Sequence, residues 1–272
     1  MRRLAVVGNL SRDRVEGGPP RVGGPPFYAA KGLRVLGVPA VVATKFAEAD
    51  RALLLPPLLG LGLPVEWRAA SSTAAYSIRY DGDARAMEVE ALGEPWTPAE
   101  AEGWLAQTLG TADWVHVGAL AQGEFSGDTL AALAHGGRRR LSFDGQGLVR
   151  PARTGPLELE ANPDPEVLRH LSVLKLSEEE ALALVGRIDE RSLEELGVPE
   201  VVVTLGSRGA MILARRRLAH VPAHALADVD PTGAGDAFAA AYVVARSRGH
   251  SAPAAGRRAT AVVARVLTER RR

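Results

Sequence analysis

The residues best placed to do chemistry lie in one stretch, Asp228-Val-Asp-Pro-Thr-Gly-Ala-Gly-Asp-Ala-Phe-Ala-Ala-Ala-Tyr242. An extended segment ends at Asp230-Pro231. Gly233-Ala234-Gly235 follow, then Asp236, then an unbroken run of small residues with helical character. The glycines let the backbone turn sharply and present successive N–H groups together. The helix that follows adds its unpaired first-turn N–H groups and the positive end of its dipole. Such an arrangement is an anion hole of the kind that holds phosphate. Asp236 stands in the first turn, facing that hole. A carboxylate there is poorly placed to bind an anion and well placed to take a proton from an attacking hydroxyl. The local alternative is an aspartate that complements the helix dipole after a glycine turn.

The elements that must position this segment alternate along the chain. Leu4–Val7, Ala40–Thr44, Trp114–Val117, Leu141–Phe143, Ser172–Leu176 and Val201–Thr204 read as short strands buried on both faces. Tyr28–Leu36, Ala49–Leu59, Ala99–Leu109, Thr129–His135 and Glu178–Val185 carry helical spacing, as do the longer Ala234–Ser247 and Ala252–Glu269. Alternating strands and helices predict a mostly parallel sheet covered by helices on both faces. Thr73–Tyr80, Asp81-Gly82-Asp83 and Ala84–Ala91 break the alternation and read as a hairpin with an Asp-Gly turn. It is either a lid over a site or an ordinary edge hairpin. Val201-Val-Val-Thr-Leu-Gly-Ser-Arg-Gly-Ala210 reads as a strand with a Gly-rich turn into the next strand. Ser177-x-x-Glu180 is a capping box for the helix it opens.

Composition narrows the class. The chain has 272 residues, 46% hydrophobic and 24% charged, with a formal charge of +1. That is globular composition, and a near-neutral chain gives no reason to expect nucleic acid or a membrane as partner. The absence of cysteine excludes disulfides, thiolate zinc sites and cysteine nucleophiles. Lysine occurs only at 31, 45 and 175, so the cations are almost all arginine. With its many prolines and glycines, the composition fits a GC-rich genome or a thermophilic source and does not separate the two. The apolar run Leu4–Val7 is too short for a signal peptide and Ala52–Val65 too short to span a bilayer, which makes a cytoplasmic protein the expectation. The histidines show no metal-ligand spacing, and the arginine runs at 138–140, 215–217 and 270–272 read as solvated surface.

The string Asp230 to Phe238 resembles the C-terminal signature of the ribokinase-like (PfkB) carbohydrate kinases, an Asp-x-Thr-Gly-Ala-Gly-Asp-x-Phe run that opens a helix. Gly8 followed by Asp13, then Gly23-Gly24 and a helix ending at Leu36-Gly37, resembles the family's opening. The resemblance runs over nearly the whole chain. It implies one Rossmann-like α/β domain over 1–272, with a small β lid formed by segments near 9–22 and 70–92. It also implies ATP and Mg²⁺, often a monovalent cation, and transfer of the γ-phosphate to a hydroxyl. On it, Asp236 is the general base, with Gly233, Ala234 and Gly235 as the anion hole. Asp13, Gly23 and Gly24 bind substrate hydroxyls. Thr204, Gly206 and Gly209 line the nucleotide site. Glu180 helps organise Mg²⁺ through water, and Asp230 lies near the monovalent cation.

Two departures bear on the substrate. Where the family usually carries Asn, this chain has Tyr28 after Phe27, which predicts a flatter, more apolar wall. After Leu141–Phe143 it carries Asp144-x-Gln146 with Arg150 further on, a pattern more similar to the cyclitol-kinase branch. Loops at the C-terminal ends of such strands are where ligands bind, so Asp144 and Gln146 are substrate candidates, with Gln122 and Glu124 behind them. The expected function is an ATP-dependent kinase of a sugar or cyclitol. The alternatives are a nucleoside kinase, with Phe27-Tyr28 stacked on a base, and a non-catalytic sugar or nucleotide sensor. By analogy with the family, two copies pair through the lid into a homodimer.

Overall fold

A computed structural model describes residues 3–81, 84–224 and 231–269. In chain order the elements are β1 (Arg3–Asn9), β2 (Ser11–Val15), β3 (Arg21–Gly23), α1 (Pro25–Leu36), β4 (Ala40–Ala47), α2 (Arg51–Leu59), β5 (Val65–Ala70), β6 (Ala74–Asp81) and β7 (Ala84–Ala91). Then come α3 (Pro98–Glu102), α4 (Trp104–Leu109), β8 (Ala112–Gly118), α5 (Gly127–Ala134), β9 (Arg140–Asp144), α6 (Gln146–Val149), β10 (Gly155–Pro156) and α7 (Pro165–Leu168). The last third holds β11 (Leu171–Ser177), α8 (Glu178–Val185), α9 (Glu190–Glu194), β12 (Glu200–Thr204), β13 (Ala210–Ala214), β14 (Arg217–Val221), α10 (Ala234–Ser247) and α11 (Ala252–Glu269).

Two sheets form. The larger has the order β14-β13-β12-β11-β9-β8-β1-β4-β5 and the smaller β10-β7-β6-β2-β3. Every neighbouring pair from β5 to β12 is parallel, and the pairs β12–β13 and β13–β14 are antiparallel, so β13 alone runs against the rest. The larger sheet is buried on both faces, as its apolar strands require. Leu4, Val6, Val42, Val173 and Val202 pack on the side of α1, α10 and α11. Ala5, Val7, Val117, Leu174 and Val203 pack with Leu105, Leu130, Ala181 and Leu193 on the other. This is the mostly parallel, helix-covered α/β sheet that the alternating strands and helices predict.

Small residues set the closest contact. A Cβ at Gly32 of α1 would lie 3.1 Å from the carbonyl of Ala237 in α10. The alanine run of α10 therefore brings two helices together so that both begin at one edge of the sheet. Gly118, at the end of β8, faces Pro25 at the start of α1 with no room for a side chain between them.

The elements beyond the apolar strands differ from the sequence reading. The 99–109 segment is two helices that meet at Gly103. The helix beginning near Ala49 starts at Arg51, after a short 3-10 turn. Strands β2, β3, β5 and β14 were not read in advance: β2, β3 and β14 are short and polar or arginine-bearing, and β5 shows only a brief alternation, Val65-Glu-Trp-Arg68. The 74–91 hairpin forms and becomes the centre of the small sheet, with β2 beside β6. Its turn residues, Gly82 and Asp83, lie outside the described residues. No helix among the described residues is long and apolar enough to cross a membrane.

Polar contacts fasten the crossings between the sheets. Asn9 Nδ2 donates to the carbonyl of Glu94 at 3.0 Å and to Glu124 Oε1 at 3.3 Å. Glu124 also accepts the Leu120 N–H at 2.8 Å. Lys45, 1% exposed, reaches Glu100 at 2.9 Å and the Pro95 carbonyl at 2.8 Å, above the Trp96 ring. Burial pushes the Glu124 carboxyl up to about 7 against the pull of the Leu120 and Asn9 hydrogen bonds.

Two outcomes follow from this packing. Gly118→Ala should lower the unfolding free energy by about 1–3 kcal/mol, since its methyl would push α1 away from β8; chemical denaturation reads this. For Glu124 the folded state keeps a proton that the unfolded state releases above 4.5, so stability is full below that pH and declines as pH rises through 7. Denaturation midpoints of the native chain should therefore fall between pH 5 and 7.5. Glu124→Gln should remove a component of about 3 kcal/mol from that slope.

Candidate active site

The C-terminal edge of the larger sheet and the inner face of the smaller one enclose a cavity of about 980 Å³. It has two ends. One is lined by Ser11, Asp13, Gly24, Tyr28, Tyr76, Gln146 and Arg150, and the other by Ser177–Glu180, Thr204–Gly209, Ala223 and His224. Pro231–Asp236 lie between them, with Lys175 beneath.

Helix α10 starts as expected, with Gly233 as its N-cap at φ 74°, a left-handed conformation that glycine adopts without strain. A side chain at Gly233 would collide with the Tyr28 ring. Ala234 differs from the expectation. Its N–H donates to the Pro231 carbonyl at 2.9 Å, closing the turn rather than facing the cavity. The N–H groups of Gly235 and Asp236 stand in the first turn, where a helix supplies no acceptor. Asp236 is 7% exposed, and its Oδ1 has no hydrogen-bond partner. A buried carboxylate oxygen left unsatisfied beside a helix N-terminus is a group held ready for something else.

Beneath Asp236 lies a charged cluster. The Asp144 carboxyl is fully buried and faces Asp236 within hydrogen-bonding reach. Lys175 Nζ sits 3.5 Å from each Asp144 oxygen. Burial alone would push Asp144 up, but the Lys175 ammonium, with the nearby His116, the Asp236 hydrogen bond and the Gln146 N–H, holds it below the usual range. Burial, then the Asp144 charge, drive Asp236 well above that range. Lys175 is raised: Asp144, Glu180 and Asp236 outweigh its desolvation. His116, wholly buried with Nδ1 3.3 Å from Ser142 Oγ, is pushed down to about 4 by burial and so stays neutral.

The small sheet supplies the other end. Asp13 on β2 is 6% exposed and accepts the Ser11 hydroxyl at 2.7 Å. Its carboxylate lies directly against Gly23, so any side chain there would displace it. Gly23 therefore seats Asp13 without lining the cavity, whereas Gly24 lines it. Tyr28 forms the expected wall, but Phe27 does not join it; Phe27 packs edge-on to Tyr28 under the Lys31 ammonium.

Other expected residues fall into three groups. Gln146, Thr204, Gly206, Gly209 and Glu180 line the cavity. Thr204 Oγ1 also donates to the Leu176 carbonyl, and Glu180 completes the capping box with Ser177. Asp144 is corrected: it does not reach the acceptor end, because burial takes it below the floor to Lys175. Gln122 and Glu124 serve the scaffold, Gln122 donating to the carbonyls of Leu148 and Glu160. Asp230 lies outside the described residues. Among the described residues, no group of three or more His, Asp or Glu side chains is arranged to hold a metal ion.

Sequence reasoning missed Lys175, Tyr76 and the apolar wall of Val263, Ala264 and Leu267 from α11 that closes the far end. Lys175 had a signal, as one of three lysines in an apolar strand. The α11 wall had only generic helical spacing.

The fold and the family have known counterparts. A deoxyribokinase from Salmonella typhi is 44% identical over 52 residues, 19% of this chain and 17% of that protein. The matched stretch is thus about a sixth of that relative's length. The structure of a pyrophosphate-dependent kinase in the ribokinase family, complexed with a pyrophosphate analog and myo-inositol, superposes with a TM-score of 0.83 at 24% identity, covering 97% of this chain and 95% of that one. Arabidopsis thaliana ribokinase with ribose and ATP gives 0.72 at 20%, covering 98% and 93%. The model of the pfkB family carbohydrate kinases matches residues 64–271, and the chain belongs to that family.

Proposed function

We propose that this chain transfers the γ-phosphoryl group of ATP to a hydroxyl of a cyclitol or sugar. The observation that carries the reading is the buried Asp236 carboxyl with its unpaired oxygen, set at the N-terminus of α10 in the cavity that also holds Asp13. Asp236 would take the proton of the acceptor hydroxyl as that oxygen bonds to phosphorus and the bond to the leaving ADP oxygen breaks. The Gly235 and Asp236 N–H groups would stabilise the charge on the transferring group. Asp13, held by Ser11 and Gly23, is suited to accept two vicinal hydroxyls of the acceptor.

The donor end fits a nucleotide. Its glycine cradle at 206–209 and the apolar wall of α11 extend past the phosphate site, room that a bare pyrophosphate would leave unfilled. Magnesium would travel with the donor's phosphates, and Glu180 would order it through water, since its Oε2 already accepts the Ser177 N–H at 2.8 Å. Bound there, it would neutralise phosphate charge. Pyrophosphate is the second reading, favoured by the relative whose structure holds a pyrophosphate analog with myo-inositol. A nucleoside acceptor has less support, because Phe27 lies outside the cavity lining and its ring is inclined at 63° to that of Tyr28, so the pair forms no stacking platform. A sensor would have no use for the unpaired carboxyl.

A coupled screen with Mg-ATP, and separately with Mg-pyrophosphate, over myo-inositol, ribose, fructose, 2-keto-3-deoxygluconate and nucleosides should give product release with a cyclitol or sugar and ATP. Binding without turnover across the panel would favour the sensor. Asp236→Asn should slow turnover by about 10²–10⁴-fold with donor affinity little changed. Near-native turnover would remove it from the base role. Asp13→Asn should act on acceptor KM far more than on donor KM, measured by steady-state kinetics with each substrate varied in turn.

A further inference from the structure

Lys175 has no role in the reading above, yet it is the buried cation nearest the reacting groups. It is 4% exposed, on the interior strand β11. Its ammonium is equidistant from the two Asp144 oxygens at 3.5 Å, longer than a normal charge-assisted bond. On its other side it meets the anion hole: a Cβ at Gly235 would stand 2.8 Å from Nζ. The ammonium thus lies between a carboxylate and the backbone of the first turn of α10, bonded tightly to neither.

We infer that Lys175 is a positioning residue for phosphoryl transfer, its ammonium seating Asp144 beneath Asp236 and holding the catalytic carboxyl and the Gly235 backbone in register. This rests on the reading of Asp236 as the base. Two carboxyl groups that face each other out of water cannot both carry charge unless a cation lies beside them. The groups facing the pair are His116 from β8, Arg150 from the end of α6, Glu180 from α8 and Lys175 from β11. His116 is neutral, and Glu180 is an acid. Arg150 lines the acceptor end of the cavity, so Lys175 is the cation placed under both carboxyls. Asp144 keeps its charge against Lys175, and that charge makes Asp236 the more basic of the two. Once protonated by the acceptor, Asp236 can donate that proton in a hydrogen bond to the charged Asp144 carboxylate.

The test is a carboxyl ¹³C titration of protein labelled at the aspartate side chain, with Asp144→Asn and Asp236→Asn assigning the two resonances. It needs no substrate. In Lys175→Met the pair should lose its last proton about 1–3 pH units higher than in the native chain. The acid limb of the kcat profile should move with it, and Asp144→Asn should restore part of the activity lost in Lys175→Met. Should Lys175→Met not fold, Gly235→Ala keeps every charge while its methyl displaces the ammonium, and the titration should rise in the same direction. A folded Lys175→Met, or Gly235→Ala, whose pair titrates within about half a unit of the native value would overturn the inference. That result would leave the Asp236→Asn turnover result standing, so the two readings fail separately.

Discussion

Two carboxyl groups, Asp144 and Asp236, face each other inside the protein, with one ammonium, Lys175, beneath them. Removing charge from water is expensive, and a buried carboxyl survives only where neighbours share its load. The arrangement therefore dictates much around it. Asp144 must come from the end of an interior strand, and Lys175 from the parallel strand beside it, whose register pairs the two residues. Asp236 must arrive from the opposite side, on the first turn of a helix whose dipole tolerates an acid there. The alanine-rich face of α10 lets that turn approach α1 and the sheet closely enough for the three side chains to meet.

The strand-and-helix alternation was legible in the sequence because apolar runs such as Val201–Val203 belong to strands covered on both faces. The ends of α10 and the start of α11 were equally plain, marked by Gly233, Gly249 and Pro253. The small sheet was legible only through its hairpin. Its other strands take their place from pairing partners far along the chain, as Ser11–Val15 does from Ala74–Ile78. No local pattern in Arg12-Asp13-Arg14 announces that contact. The same limit explains Asp144: spacing placed it in a loop near ligands, while depth, a property of the whole fold, put it beneath them.

On the proposed reading, the donor and acceptor ends of the cavity differ in kind. The donor end combines backbone turns, at Gly206–Gly209 and at the start of α10, with the apolar wall of Val263, Ala264 and Leu267. Side chains decide the acceptor end, where Asp13, Tyr28, Tyr76, Gln146 and Arg150 surround a small volume. Backbone recognises phosphate by charge and shape and varies little with sequence. Side-chain walls can be rebuilt residue by residue, so acceptor preference is free to diverge while the phosphoryl-transfer geometry is held.

The knot of Asn9, Lys45, Glu94, Glu100 and Glu124 where the chain passes between the sheets has a further effect. It anchors both passages with hydrogen bonds of 2.9–3.3 Å that are buried or partly buried. On the proposed reading, the small sheet would meet its ligand with its root already fastened by these contacts. Little conformational entropy is lost on ordering that root when an acceptor binds, and more of the contact free energy shows as affinity. On the proposed reading, an acceptor held against this sheet would be selected by fit rather than by folding around the ligand.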